Sequence, residues 1–405
     1  VEQIGRGTFG TVWRAQTRSE GGEVEGTFAV KRMDMMFLRK KMRGQRARGG
    51  GADEMVKREI ATMKKLDHPN IARLVDVIED GEPGAASSTM YVVSEFLAHG
   101  SLEERRRSQP SGALPMDELR RVSRQMLAAL NYLHTVVQIA HRDIKPENVM
   151  LDGEEVVKLI DFGTAEIFTM NPDGSPSDFT SKAAGTPAFY APEMCSIDID
   201  SYEMLPTDVW ALGVTMYQLA YGALPFKETG LMQLMEEIDT KEVEYPELKP
   251  PADGCPPPPL WPTLSLVCMP SPSQARLGCF RDDGDGALLR ELLQAMLVRQ
   301  PTARLTVAGA MGHRWATQRN TLRFSDAELA CEQIEVTTDE IEDSVRPRLC
   351  ASNTPLRPFR IQFTPGAVGT ILRRWRTSTR SCASCGSTPR RGSRRGERLW
   401  KWISR

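Results

Sequence analysis

Apolar residues are spaced in two ways along the chain. From Val1 to about Val93 they fall in short strand-like runs separated by turns, interrupted by one amphipathic helix from Met55 to Leu66, in which Met55, Ile60, Met63 and Leu66 lie on or near one face. From Leu114 a helical period takes over, in MDELRRVSRQMLAALNYLH and TDVWALGVTMYQLAYG, and runs to near Trp315. The pattern predicts an α+β, bilobal chain: a small β-rich lobe over residues 1–97 with one key helix, and a larger α-helical lobe over 98–315. Two inserts break it. Phe37 to Asp53 (FLRKKMRGQRARGGGAD) is basic, Gly-rich and too polar to pack, and Pro246 to Gly284, with its PPPP run, has neither period and reads as a long loop. No internal repeat is present.

Composition fits this division. With 405 residues and 40% hydrophobic content the chain can bury a two-lobed core and still extend into a tail. No run of about 18 apolar residues occurs, so a spanning helix of ordinary length is not expected and the protein reads as soluble or at most peripheral. The eight cysteines are scattered and nothing at the N-terminus reads as a secretion signal, which points to a reducing cytosolic or nuclear compartment without structural disulfides. Val1 stands in place of an initiator Met, so the chain is expected to start inside a first strand, with any targeting sequence upstream. The net charge of −1 hides an asymmetry: from Arg346 to Arg405 there are fourteen Arg and one Lys against Glu397 alone, which makes that stretch +14 and the remainder −15. An acidic segment (316–346) is thus followed by a basic tail (347–405) that should be drawn to the body or to another acidic partner.

The polar positions carry a phosphate-transfer chemistry. IGRGTFGTV (Ile4 to Val12) sets Gly5, Gly7 and Gly10 between two strands, where missing Cβ atoms let backbone amides approach phosphates. A plain glycine hairpin or a dinucleotide fingerprint competes with this reading, though the latter needs a helix next and the strand-like TVWRA follows. FAVK then places Lys31 on a strand, where it could grip phosphates, with Glu59 on the next helix as the carboxylate to hold it. In HRDIKPENV (His141 to Val149), Asp143 suits the base that orients and deprotonates a hydroxyl, Lys145 a cation near the transferred phosphate, and Asn148 an oxygen ligand for Mg²⁺. DFG follows the β run VVKLI, and its Asp161 is the second candidate metal ligand. Singly each motif could be an ordinary polar loop, and His141 a packed core histidine. Their shared order, closed by APE at Ala191 to Glu193, is what makes the reading specific.

From Val1 to Trp315 the chain resembles the eukaryotic-type Ser/Thr protein kinases, and the resemblance implies the bilobal protein kinase fold, with ATP and Mg²⁺ as cofactors and protein substrates. It implies that Val12, Ala29 and Met150 sandwich the adenine, with Ile4 also at the ATP site, that Glu95 to Leu97 form a hinge whose backbone reads its edge, and that Ser94 is a small gatekeeper leaving the space behind open. His141 is expected beneath Phe162, Glu193 paired with Arg304 of QPTARLT, and Asp208 holding the catalytic loop. Lys145 and GTPAFYAPE are similar to Ser/Thr rather than tyrosine kinases, with Thr186 hydrogen-bonding the catalytic loop.

More narrowly, KKLDHPNI, GTPAFYAPE, the basic insert and IEVTTDEIEDSVR (Ile334 to Arg346) resemble the calcium/calmodulin-dependent protein kinase kinases and their plant and algal relatives, which implies an upstream kinase acting on kinases of the AMP-activated or calmodulin-dependent type. The first insert lacks that family's prolines, and the second has no counterpart in it. Lys182 stands four residues before Thr186, where many kinases carry an activating phospho-Thr, so Arg142 is expected to lack its usual phosphate. Thr180 and Ser181 remain candidate phosphorylation sites. In the tail, AVGTILRRWRTSTR (Ala367 to Arg380) spaces Val368, Ile371, Leu372 and Trp375 helically against a basic face. This fits an autoinhibitory, calmodulin-binding helix, and it equally fits an unstructured basic tail or a membrane-surface or nucleic-acid contact. No specific nucleic-acid recognition is expected. Two other functional readings stand beside the main one: a calmodulin-regulated kinase with non-kinase substrates, and a pseudokinase scaffold.

Overall fold

A computed structural model describes residues 2–7, 10–18, 24–34, 60–80, 89–171, 176–180, 183–196, 199–246, 284–318, 323–324, 339–340 and 343–347. Glu59, Ser181, Lys182, the insert 37–53, nearly all of the 246–284 loop and the calmodulin candidate 367–380 lie outside the described residues. The chain divides into two compact units: Val1–Asp67 with Ala72–Leu97 and Ile334–Arg405, and His68–Ile71 with Ala98–Gln333.

The first unit is built on one sheet. Strands β1 (Glu2–Gly7), β2 (Gly10–Arg18), β3 (Val24–Asp34), β4 (Leu74–Asp80) and β5 (Thr89–Glu95) are antiparallel in the order β1-β2-β3-β5-β4, and the short strand Arg346–Pro347 adds in parallel beside β4. Central β5 reads TMYVVSE, an almost unbroken apolar run, because both of its faces are covered. Tyr91 and Val93 join Ala15, Phe28, Val30 and Ile78 on one face, while Met90 and Val92 join Met33, Leu74 and Val77 on the other. That second face also takes Ile60 and Met63 from the helical residues 60–65, together with Val345. The described part of the predicted helix is thus fastened to the sheet by the apolar stripe that announced it.

In the second unit, α1 (Met116–Tyr132) buries Leu119, Val122, Met126, Leu127 and Leu130 at helical spacing, with Asp117 and Glu118 in its first turn, where carboxylates complement the helix dipole. α2 (Met204–Tyr221) is buried on nearly every side, as befits a helix apolar all round, and stops at Gly222 in a left-handed conformation (φ 73°). α3 (Asp285–Met296) packs Leu288, Leu289, Leu292, Leu293 and Met296 inward. Two small antiparallel pairs complete the frame: β6 (Ile139–Ala140) with β9 (Glu166–Ile167), and β7 (Val149–Leu151) with β8 (Val157–Leu159). Among the described residues no helix is long and apolar enough to cross a membrane.

Candidate active site

The loop that joins β6 to β7 carries His141, Asp143, Lys145 and Asn148, and it is anchored from within by α2. Asp208, fully buried, accepts the backbone amides of His141 (2.8 Å) and Arg142 (2.7 Å) and a bond from His134 Nε2 (2.9 Å). Burial pushes the Asp208 carboxyl up, but the hydrogen bond and electrostatic attraction of His134 and the bond from the Arg142 amide outweigh it and hold the group below the ordinary carboxylate range. These bonds keep Arg142 at φ 67°, a conformation that a non-glycine residue adopts only when its surroundings impose it. His141 is likewise buried. Its Nε2 lies 3.0 Å from the Ile160 carbonyl, which can only accept, so Nε2 carries the proton and Nδ1 is left to accept from the Asp143 amide at 3.3 Å. The expected partner Phe162 is present, but edge-on to His141 (5.1 Å, 65°) rather than stacked.

Held in this way, Asp143 sits at the centre of a closed set of bonds. Its Oδ2 accepts from Lys145 Nζ (2.8 Å) and Asn148 Nδ2 (2.9 Å), and its Oδ1 accepts from the Thr186 hydroxyl (2.8 Å). The Lys145 ammonium also donates to that hydroxyl at 2.6 Å, so Thr186 both receives from the lysine and gives to the carboxylate. The activation segment reaches the loop through Gly185, whose φ of 102° and closeness to the Arg142 carbonyl admit no Cβ. Asn148 Nδ2 also bonds the Asp143 carbonyl (2.8 Å), which leaves the amide oxygen as that side chain's atom for a cation. The Ile160 amide donates to the Asn148 carbonyl (2.9 Å), tying the loop to the backbone just before Asp161, which itself is left-handed at φ 60°. One carboxylate and one amide oxygen suit Mg²⁺, which keeps much of its shell for water and phosphate oxygens.

Further down the activation segment, Glu193 and Arg304 form a buried bidentate pair (2.6 and 2.8 Å), with Arg304 also donating to the carbonyls of Pro206, Val298 and Arg299 and lying over the Trp210 ring. Thr180 is buried in a short strand, Phe179–Thr180, paired with Tyr202–Glu203, which withdraws its hydroxyl from modification in this conformation.

The residues assigned to the nucleotide are divided between the units. In the first, Gly7 pairs with Gly10 at the β1–β2 turn and Gly5 with Val12, while Ile4 is exposed on β1. An added Cβ at Gly10 would run into the Arg32 carbonyl, so glycine is required there. Lys31 lies across from Val12 and Val92, and strand alternation puts it on the same face as Met33, the face that carries residues 60–65. Ala29 and Ser94 are a cross-strand pair of small residues on that face. In the expected hinge, the Glu95 amide donates to the Arg73 carbonyl (3.1 Å) and Leu97 is buried. In the second unit Met150 lies in β7, opposite Lys158, near Asn148 and Asp161 in the chain. Sequence reasoning overlooked His134 and the part that Gly185 plays within GTPAFYAPE. The first looks like any helical histidine, and the second depends on a close approach to the Arg142 carbonyl, distant in sequence.

A carboxylate bonded by a lysine, an asparagine and a threonine, in a loop whose backbone is held by a buried aspartate, is the arrangement expected of a phosphotransferase of the serine/threonine kinase kind. The protein kinase domain profile matches residues 1–316, and the chain belongs to the protein kinase family. Among curated relatives it is 30% identical to the calcium/calmodulin-dependent protein kinase kinase of Caenorhabditis elegans over 86% of this chain and 58% of that protein. It is 29% identical to the serine/threonine-protein kinase ssp1 of Schizosaccharomyces pombe, over 85% of this chain and 47% of that one, and 33% identical to the CBL-interacting protein kinase 4 of Oryza sativa subsp. japonica, over 60% and 48%. The chain thus spans about half the length of the curated relatives it matches.

Proposed function

We propose that this chain is an ATP-dependent protein serine/threonine kinase whose substrates are other protein kinases, of the AMP-activated or calmodulin-dependent type. The bonds around Asp143 carry the catalytic part of the reading. Asp143 orients the acceptor hydroxyl and takes its proton, Lys145 balances the charge of the transferred group, and Thr186 fixes both while shaping the site for the residue after the acceptor. Asn148 and Asp161 would hold Mg²⁺, which neutralises phosphate charge during transfer. Lys31, Glu59 and the glycines of β1–β2 are assigned to the phosphates, and Val12, Ala29, Ser94, Leu97 and Met150 to the adenine. Such an intact set also argues against a pseudokinase scaffold.

The kinase-kinase assignment is supported by the extent of similarity. An alignment covering 86% of the chain cannot fit within residues 1–316 of 405, so the likeness to the nematode kinase kinase extends past the domain, where Ile334 to Arg346 gave the same resemblance. Labelled ATP with Asp143→Asn beside wild type tests catalysis: incorporation is expected to fall about 10²- to 10⁴-fold, and equal incorporation would refute the assignment. Incubation with an inactive AMP-activated-type catalytic subunit tests the substrate class. Activation-loop phosphorylation is expected there, and its absence alongside activity on generic peptides would favour a kinase with non-kinase targets. Calcium-dependent retention on calmodulin, lost on deleting 367–380, is the corresponding test for a calmodulin partner.

A further inference from the structure

Arg142 follows His141 in the catalytic loop, and its guanidinium belongs to the activation segment's surroundings rather than to the reaction centre. Its side chain is only 5% exposed, so its charge has left water and needs an anion. In many kinases that anion is a phosphate added to the activation segment, whose pairing with arginine orders the segment. Here Arg142 Nη1 donates instead to Glu166 Oε2, and the guanidinium also hydrogen-bonds the Tyr202 side chain.

We propose that Glu166 is the resident counter-ion of Arg142, standing where an activation-segment phosphate would act, and that it is a positioning residue for Asp143. The inference rests on the kinase reading and adds how the site is held active. The backbone of each partner is fixed separately, Arg142 by Asp208 (2.7 Å) and Glu166 by its place opposite Ala140 in the β6–β9 pair, so the two charges meet without any mobile arm. Through Tyr202 the same guanidinium reaches the strand that pairs with Phe179–Thr180, and so links the catalytic loop, β9 and the activation segment. Thr180, the described candidate for modification, is buried in the Phe179–Thr180 strand itself.

The experiment measures kcat and KM for wild type, Glu166→Gln and Glu166→Asp, each before and after phosphatase treatment. Wild type is expected to keep its kcat after phosphatase. Glu166→Gln should lower kcat about 10-fold or more with the KM for ATP nearly unchanged, and Glu166→Asp should recover most of the loss. If Glu166→Gln does not fold, Arg142→Gln/Glu166→Gln, which leaves neither charge unpaired, takes its place and is expected to show the same fall in kcat. An unchanged kcat in the folded variant, or a wild type silenced by phosphatase, overturns the proposal alone. A wild type with no phosphotransfer at all overturns the kinase reading and this proposal with it.

Discussion

Thr186 contributes one hydroxyl to two bonds, accepting from Lys145 at 2.6 Å and donating to Asp143 at 2.8 Å, and no other residue type of its size does both in place of Ser or Thr. Thr186→Val keeps the shape and leaves a part-buried carboxylate and ammonium each short of a partner. The cost is about 1–3 kcal/mol, or roughly 5- to 150-fold, and is expected in kcat more than in the KM for ATP; steady-state kinetics on a peptide substrate checks it. Asp208 gives a prediction in pH. Because its carboxyl sits below the usual value of 3.8 in the folded protein, the ion's contribution is complete above that value and is lost as pH falls through the lower folded one. The stability gap between wild type and Asp208→Asn should therefore stay level from about pH 5 to 8 and narrow below about pH 4 in denaturant titrations. Asp143, Lys145 and Asn148 stood out beforehand because phosphoryl transfer calls for a carboxylate, a cation and an oxygen ligand, whereas the bond of Thr186 to their loop was expected only from the kinase resemblance. His134 was not foreseen, since its role depends on reaching Asp208 across 74 positions of chain.

The strands and the described part of the key helix were legible for a different reason: each has its own apolar period, and the almost unbroken apolar run of β5 fits its two covered faces. The edge strand Arg346–Pro347 escaped such reading. It is two residues long, it ends in a proline that cannot donate to a ladder, and its pairing with Ile78 and Glu79 is far from local. Yet it is not decorative, because Ser344 and Val345 beside it are buried and Val345 packs in the cluster that includes Ile60 and Met63. Val345→Ala should therefore cost about 1–2 kcal/mol, seen as a lower urea midpoint at unchanged slope, whereas an unattached post-domain tail would show no change. A stop codon before residue 339 should be worse, since it also removes the ion pair between Glu340 and Lys65.

For the whole chain, charge is the property that no single motif carries. Ending at Pro347 keeps Val345 and the edge strand but removes most of a tail whose stretch from Arg346 holds fourteen Arg, while the remaining body stays strongly acidic. A basic tail tethered to an acidic body has a high effective concentration on it, and the attraction weakens as salt shortens the Debye length from about 10 Å at 0.1 M to about 3 Å at 1 M. If the tail covers the substrate-binding surface, the full chain should gain activity between low and moderate salt, and a protein ending at Pro347 should be more active at low salt with a flatter salt profile. Calcium and calmodulin should then activate the full chain and leave the shortened one unaffected. Identical salt profiles for the two proteins would show that the tail's charge is used elsewhere, and a shortened protein that gains activity without any response of the full chain to calmodulin would keep the autoinhibition while removing calmodulin as its release.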